Sequence, residues 1–543
     1  MPRNRNTHCL ALACIMTGAC LAAGMLVPDA TLFAGEAPLW GDLEPGPHAV
    51  GFTAFEKYDH SRTFQPKRDY FGTVLPGERA RPLQLLVWYP AAGTGDELPI
   101  VLSDYAFTPP DEQGMLRFLS GIQDREIGFL YQVFTNNELA VLEALSTEMS
   151  AIRDADHADG AFPLLVYHSA FNRGIAENAV MCEYLASHGF VVATTHSFGL
   201  TAVRGEPDPA GLETIVGDME FAIAALHDLD FIDHDKLGVF GYRNGADAAL
   251  LLQMRSYNID AVVEIEPALR DSGLAEMATG NPYYDTDRMT VPLLELYSIA
   301  ENGQEEASVE PFKYGQRTSL GFRNTRGFDF TTYGLLPAMF LPPDTTGAAP
   351  PSSGDIYEAA CGYVLDFFDA HLNGSRASLE FPASSSPAKG LDPDRVVLTD
   401  MEALERPPSQ DEFTAILAGG DVETAVEIFR KFRAAEPDLI LFREAVMNMT
   451  GYRYLQRGMP GEAVELFKMN AYTYPRSANC WDSLAEAYIA AGDNAHALEC
   501  VEMMLEVLPT DENLGDDLRQ ALETNAESYR EMLTEGQEEA TQE

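Results

Sequence analysis

The stretch Lys236-Leu-Gly-Val-Phe-Gly-Tyr-Arg-Asn-Gly-Ala-Asp-Ala-Ala-Leu-Leu-Leu252 restricts what this chain can become more than any other. An apolar strand runs into a turn bracketed by Gly241 and Gly245, and an apolar helix follows at once. A turn of this kind lifts one side chain over the end of the strand, at the positive end of the helix. Ser, Cys or Asp at its centre would be a nucleophile. The residue there is Arg243, whose guanidinium stays protonated in proteins and only donates hydrogen bonds. The turn therefore predicts a site at the carboxyl edge of a sheet, with a central group that cannot attack a substrate.

Around this turn, short continuous apolar runs alternate with amphipathic ones. Strands are expected near Leu83 to Tyr89, Leu164 to His168, Phe190 to Thr195, Leu237 to Phe240, Ala261 to Ile265 and Pro292 to Tyr297. Helices are expected near Glu177 to Ser187, Glu213 to Leu229, Ala246 to Arg255 and Ile356 to Leu372. Such alternation means a mostly parallel sheet covered by helices on both faces, an α/β architecture. Residues 103–160 interrupt it, with helical character around Gln113 to Leu145 and no strand pattern. They read as a cap-like insertion over the sheet edge.

Beyond residue 375 the composition shifts to Ser, Pro, Ala and Asp, and residues 376–409 read as a linker. The chain then repeats itself. Ala463 and Pro475 recur as Ala497 and Pro509, Gly458 as Gly492 and Tyr454 as Tyr488, each 34 residues on. Gly420, Ala425 and Pro437 keep the same internal spacings ahead of them. This period, with Gly at a turn, a small Ala on the second helix and Pro after it, resembles the tetratricopeptide repeat. The resemblance implies an all-α array over residues 410–543, closed by a polar-faced helix around Glu512 to Leu533, with a groove for a protein or peptide. Helical hairpins that only pack are the alternative.

Charge narrows the partners. Asp and Glu outnumber Lys and Arg 84 to 36, a formal net charge of -48, and such a field repels nucleic acid and anionic membranes. Arg3 and Arg5, the apolar run from Cys9 to Val27 and the small residues around Ala34 follow the order of a secretory signal over residues 1–35. A secreted or periplasmic protein without a transmembrane span after processing is expected. Thr17-Gly-Ala ahead of Cys20 matches a lipid-attachment site poorly. Cys182, Cys361, Cys480 and Cys500 lack metal-ligand spacing and read as buried thiols. No phosphate loop, dinucleotide fingerprint or zinc-protease motif occurs, so neither cofactor nor metal is expected.

Residues 44–372 resemble the α/β-hydrolase fold, in the group of platelet-activating-factor acetylhydrolase-like and dienelactone-hydrolase-like proteins. The likeness is carried by Pro163-Leu-Leu-Val-Tyr-His-Ser-Ala-Phe171, by Cys182-Glu-Tyr-Leu-Ala-Ser-His-Gly-Phe-Val-Val-Ala193, by the turn at Arg243 and by Asp260-Ala-Val-Val-Glu-Ile-Glu266. It implies an α/β-hydrolase-like domain over residues 36–375. It also implies a nucleophile, a histidine, an acid that orients the histidine, and backbone donors for an oxyanion. On that pattern Arg243 holds the nucleophile position and Glu266 the acid position. Gly327, in Asn324-Thr-Arg-Gly-Phe-Asp-Phe330, holds the histidine position, and no His lies between His234 and His371. The first oxyanion loop, Gly-rich in the family, reads His168-Ser-Ala-Phe-Asn172.

The triad is therefore degenerate, and a non-catalytic binding or scaffolding role is expected, with Arg243, Glu264, Glu266, His168 and Ser169 around a small anionic ligand. In this reading Arg243 pairs with Glu266, and Glu264, two residues back on one strand, faces the same side. The competing reading is an ester or lipid hydrolase with a rearranged site, Ser197 as nucleophile and His168 as base. His196 cannot serve Ser197, since strand neighbours point to opposite faces. The run His227, Asp228, Asp230, Asp233, His234 and Asp235 lacks fixed ligand spacing and reads as a solvated helix end in preference to a metal site.

Overall fold

The computed structural model describes residues 38–68, 70–75, 77–93, 99–108, 113–202, 204–256, 258–299, 312–341, 353–375 and 391–540. The expected signal segment and residues 376–390 of the expected linker lie outside them. The chain divides into two units, Met1–Leu404 and Glu405–Glu543.

Among the described residues of the first unit, strands β1 (Ala49–Thr63), β2 (Ala80–Ala91), β3 (Pro99–Val101), β4 (Glu148–Arg153), β5 (Phe162–His168) and β6 (Val191–Thr195) precede the Arg243 turn. β7 (Ile232–Tyr242) leads into it, and β8 (Ala261–Ile265), β9 (Leu293–Ile299), β10 (Arg317–Arg323) and β11 (Val396–Met401) follow. All join one sheet in the order β11-β10-β9-β8-β7-β5-β6-β2-β1-β4-β3. From β6 through β5, β7, β8 and β9 to β10 every pairing is parallel, while β2 runs antiparallel to both β1 and β6.

Helices cover both faces. One face buries Leu165, Tyr167, Val192, Phe240 and Val263 under α4 (Ala179–Ser187), α7 (Thr332–Phe340) and α8 (Ser353–Phe368). The other buries Leu164, Val166, Val191, Val239 and Val262 under α5 (Pro209–Ala225) and α6 (Asn244–Arg255). Burial on both faces is why the central strands read as unbroken apolar runs.

The insertion supplies α1 (Leu102–Ala106), α2 (Gln113–Val133) and α3 (Glu138–Leu145). It also supplies a strand, contrary to expectation: β4 pairs parallel with β1, Ala151 opposite Val50. β4 is short, with only Met149, Ala151 and Ile152 buried among polar neighbours, so no apolar run announces it. The buried Glu183 carboxylate ties this region to α4, accepting hydrogen bonds from Trp40 Nε1 at 2.9 Å, Tyr105 OH at 2.5 Å and the amides of Ser150 and Ala151 at 3.2 and 2.9 Å. A second correction concerns the expected linker, where Val396–Met401 forms β11, an antiparallel edge strand on β10. Its side chains are mostly exposed, so its place comes from the backbone ladder and not from apolar patterning.

The second unit is helical, with α9 (Gln410–Ala418), α10 (Val422–Ala435), α11 (Glu444–Gln456), α12 (Pro460–Thr473), α13 (Ala478–Ala491), α14 (Asn494–Val507) and α15 (Asp516–Ala540). Successive helices pack as hairpins, and α11 also meets α13 and α13 meets α15. Gly420, Gly458 and Gly492 turn the three hairpins at φ of 86°, 74° and 78°. Ala425, Ala463 and Ala497 are each fully buried, where helices approach too closely for a larger side chain. The recurring residues thus perform the same local task in each copy.

Candidate functional site

β7 ends at Tyr242, and Arg243 caps α6 at φ 54°, ψ -118°. That is a strained conformation for a side chain with a Cβ, held here by its surroundings. Its amide donates to Ile265 O at 2.9 Å and its carbonyl accepts from Ala246 N at 3.0 Å. A β-carbon at Gly241 would lie 2.2 Å from the Gly245 carbonyl, and one at Gly245 would lie 2.1 Å from His168 O. Both positions must be glycine for helix, turn and β5 to meet. The backbone of a nucleophile elbow is intact and presents a guanidinium.

Glu266 stands one residue past β8 at φ 50°, and its carboxylate accepts the amide hydrogen of Ser298. Gly327 opens a short helical turn, and a β-carbon there would lie 2.8 Å from Glu266 Oε2. The structure thus brings together Glu266 and Gly327, the residues expected at the acid and histidine positions.

The expected pairs with Arg243 do not form. Among the described residues no ion pair joins Arg243 to Glu266 or to Glu264. The positive φ at Glu266 takes its backbone out of the pleat, so the strand alternation that would align it with Glu264 ends at Ile265. Glu264 is instead buried in a different cluster. Burial and the neighbouring Glu295 and Asp247 carboxylates push it well above the usual range, while Glu295 takes Arg270 and Arg317, each at 2.8 Å. Asp247, on the first turn of α6, is pushed up by burial to about 7.

The alternative catalytic residues are also placed. Ser197 Oγ accepts from Asn172 N at 3.1 Å, and among the described residues no imidazole reaches it. His168 is buried, with Nδ1 2.8 Å from Ser169 O and Nε2 unpartnered; burial lowers its pKa. His196 Nε2 meets Gln84 Oε1 at 3.1 Å, and burial pushes it down to about 3. The Ser169 hydroxyl turns to Arg173 O at 3.5 Å. His227 and His234 have rings 4.9 Å apart, and among the described residues no three His, Cys, Asp or Glu groups converge to hold a metal.

Residues the patterns did not single out complete the mouth of the elbow. Glu177, 1% exposed, accepts the Ala170 amide through Oε2 at 3.2 Å and lies 3.7 Å from Arg173 Nε through Oε1. That amide lies in the loop expected to supply an oxyanion donor, and an internal carboxylate already accepts from it. Burial, opposed by Arg173, pushes Glu177 up to about 8. Glu126, on α2 and equally buried, accepts the Tyr333 hydroxyl and leaves Oε2 unpartnered; burial pushes it up to about 7. Arg173 stacks on Phe129 of α2 at 3.5 Å, and Arg125 Nη2 donates to Ser197 O at 2.6 Å. α2 of the insertion therefore lies against the elbow loops. On the other side Asn244 is buried with Nδ2 unpartnered. A carboxylate set inside a mostly apolar run, Ile175 to Met181, was the one signal for Glu177, whereas Glu126 ends the polar run Gln123 to Glu126 and had none.

An open cleft of about 730 Å³ lies elsewhere, lined by Arg62, Glu213, Glu220, Phe221, Arg255 and Tyr283 among others. Its arginines are already held by Asp59, Asp218, Glu213 and Glu220.

The strand order, the parallel centre and the elbow after β7 define an α/β-hydrolase-like fold, followed by a helical unit. No protein-family model matches the chain, and no curated protein matches it. Among solved structures it is similar to a ferulic acid esterase from Streptomyces cinnamoneus, at 18% identity and a TM-score of 0.45, covering 66% of this chain and 97% of that one. Among the described residues no helix is long and apolar enough to cross a membrane.

Proposed function

We propose that this protein is a hydrolase-fold protein that binds and does not cleave, secreted or periplasmic, with a small anion held at Arg243. One observation carries the reading: the elbow keeps its strained geometry at Arg243 while the histidine position is Gly327, packed against Glu266. Hydrolysis needs a nucleophile with a base in hydrogen-bond reach. The guanidinium makes no ion pair among the described residues, and it stands at the N-terminus of α6, where anions are favoured. Purified protein is expected to leave short-chain aryl esters intact. Turnover that survives Arg243→Ala and disappears with Ser197→Ala would instead establish the rearranged hydrolase.

The helical unit, which resembles a tetratricopeptide array, is proposed to hold a peptide. Tyr452 on α11 donates to Glu486 on α13 at 2.9 Å, and Asn525 on α15 donates to Asp482 on α13 at 3.1 Å. These contacts line up acidic and aromatic groups across alternate helices, which favours a partner bearing Lys or Arg. Fluorescence anisotropy with lysine-rich and glutamate-rich peptides on the full chain tests this. The lysine-rich peptide should bind and weaken on Glu486→Gln; equal or absent binding of both would leave a packing role only.

A further inference from the structure

The mouth of the elbow contains an internal occupant. Glu177 Oε2 takes the Ala170 amide at 3.2 Å, and Oε1 faces Arg173 at 3.7 Å. Its carboxyl thus sits on the loop donor that an incoming oxyanion would need. Across from it are donors with nothing to hold: the Arg243 guanidinium makes no ion pair among the described residues, and Asn244 Nδ2, on the first turn of α6, is buried without a partner. A buried donor without an acceptor costs free energy, and Asn244 Nδ2, next to the half-buried Arg243 guanidinium at the same helix N-terminus, points to a ligand that supplies acceptors.

The groups facing Glu177 come from every element around it. Arg173 lies on its own loop, Glu126 comes from α2, Arg243 from the elbow, Tyr167 from β5 and Tyr242 from β7. Glu126 and an ionised Glu177 would already place two negative charges in a site without bulk water. An arriving anion adds a third, and in such surroundings like charges are strongly unfavourable.

We infer that the elbow takes up a small oxyanion together with one proton, and that Glu177 carries the proton. This rests on the reading of Arg243 as an anion receptor. A neutral Glu177 carboxyl no longer repels the ligand and is free to donate to it, while Arg243 and Asn244 supply the remaining donors. The proton comes from solvent, and no bond other than O–H is made or broken. Because burial holds the Glu177 pKa near the physiological range, with a value of about 8, the carboxyl is already neutral at lower pH and must gain its proton at higher pH.

Isothermal titration calorimetry with acetate and with sulfate tests this, since neither anion titrates in the neutral to mildly alkaline range. Wild-type affinity should be flat below the Glu177 titration and fall about tenfold per pH unit above it, as one-proton linkage requires. Binding heats above it should vary with buffer ionisation enthalpy by one proton taken up. Glu177→Gln, nearly isosteric, should bind with no pH dependence and no proton uptake, whereas Glu126→Gln should keep both. A flat wild-type profile overturns the inference, as does undiminished proton uptake in Glu177→Gln. Binding that survives Arg243→Ala, or the absence of any binding by the wild type, overturns the anion-receptor reading itself.

Discussion

Arg243 places a guanidinium, which cannot attack a substrate, on the backbone geometry of an elbow. The turn keeps φ 54°, ψ -118° because Gly241 and Gly245 allow contacts closer than any β-carbon permits. Gly245→Ala should therefore destabilise the first unit by about 1–3 kcal/mol, read from urea denaturation. Arg243→Ser alone should turn esters over no faster than the uncatalysed background, because among the described residues no imidazole is hydrogen-bonded at the elbow. Arg243→Ser with Gly327→His should raise turnover roughly 10²-fold over the single variant, the low end of what a positioned general base contributes. The new ring would press on the Glu266 carboxylate, the flexible end of a side chain that can give way. Equal rates for the two variants would show that the vacated position no longer points at the elbow. Arg243 and Glu266 could be located in the sequence because each follows a strand whose apolar run is legible, and Gly327 because the stretch Asn324 to Phe330 resembles the family's histidine segment. Glu177 could not, because its importance depends on the Ala170 amide and on α2.

At the scale of elements, α2 connects the insertion to the site. Arg125 holds the Ser197 carbonyl, Phe129 stacks under Arg173, and Glu126 meets Tyr333 on α7. Arg125→Ala should release the loop after β6, seen as faster amide hydrogen exchange around residues 196–202 with the central strands unchanged; uniform exchange throughout would argue against this link. In the helical unit Ala463 is fully buried between neighbouring helices. Ala463→Leu should cost about 1–3 kcal/mol, measured as a lower denaturation midpoint of that unit alone. The helices that alternate with the central strands and those of the 34-residue repeat were readable from their period, whereas α7 was not. β4 and β11 were not, because a strand at a sheet margin is recruited by backbone hydrogen bonds and needs little apolar surface.

For the whole molecule, the buried carboxylates set the dependence of stability on pH. Burial raises Glu126 and Asp247 to about 7 and Glu177 to about 8. In the unfolded chain such groups ionise at roughly pH 4. The folded state therefore binds more protons between those limits, and stability falls as pH rises through that window. Denaturant midpoints across the window would measure the combined loss. Glu177→Gln should flatten the upper part of the slope and Asp247→Asn the middle. A midpoint that rises over the same range would mean these groups are ionised in the folded protein.

What the sequence by itself determined was whatever depends on neighbours along the chain: the alternation of strands and helices, the elbow with its glycines, and the recurring Gly and Ala of the helical unit. Those features are local because strand, turn and helix geometry repeats over a few residues. The tertiary structure alone decided which charges meet. Positive φ at Glu266 separates it from Glu264, Glu264 joins Glu295 and Asp247, and Arg243 is left facing Glu177 instead of pairing with Glu266. The reason is physical: the cost of a buried charge depends on the groups packed around it, and here those groups come from α2, the loop after β5, the elbow and the loop after β8, which no local pattern relates.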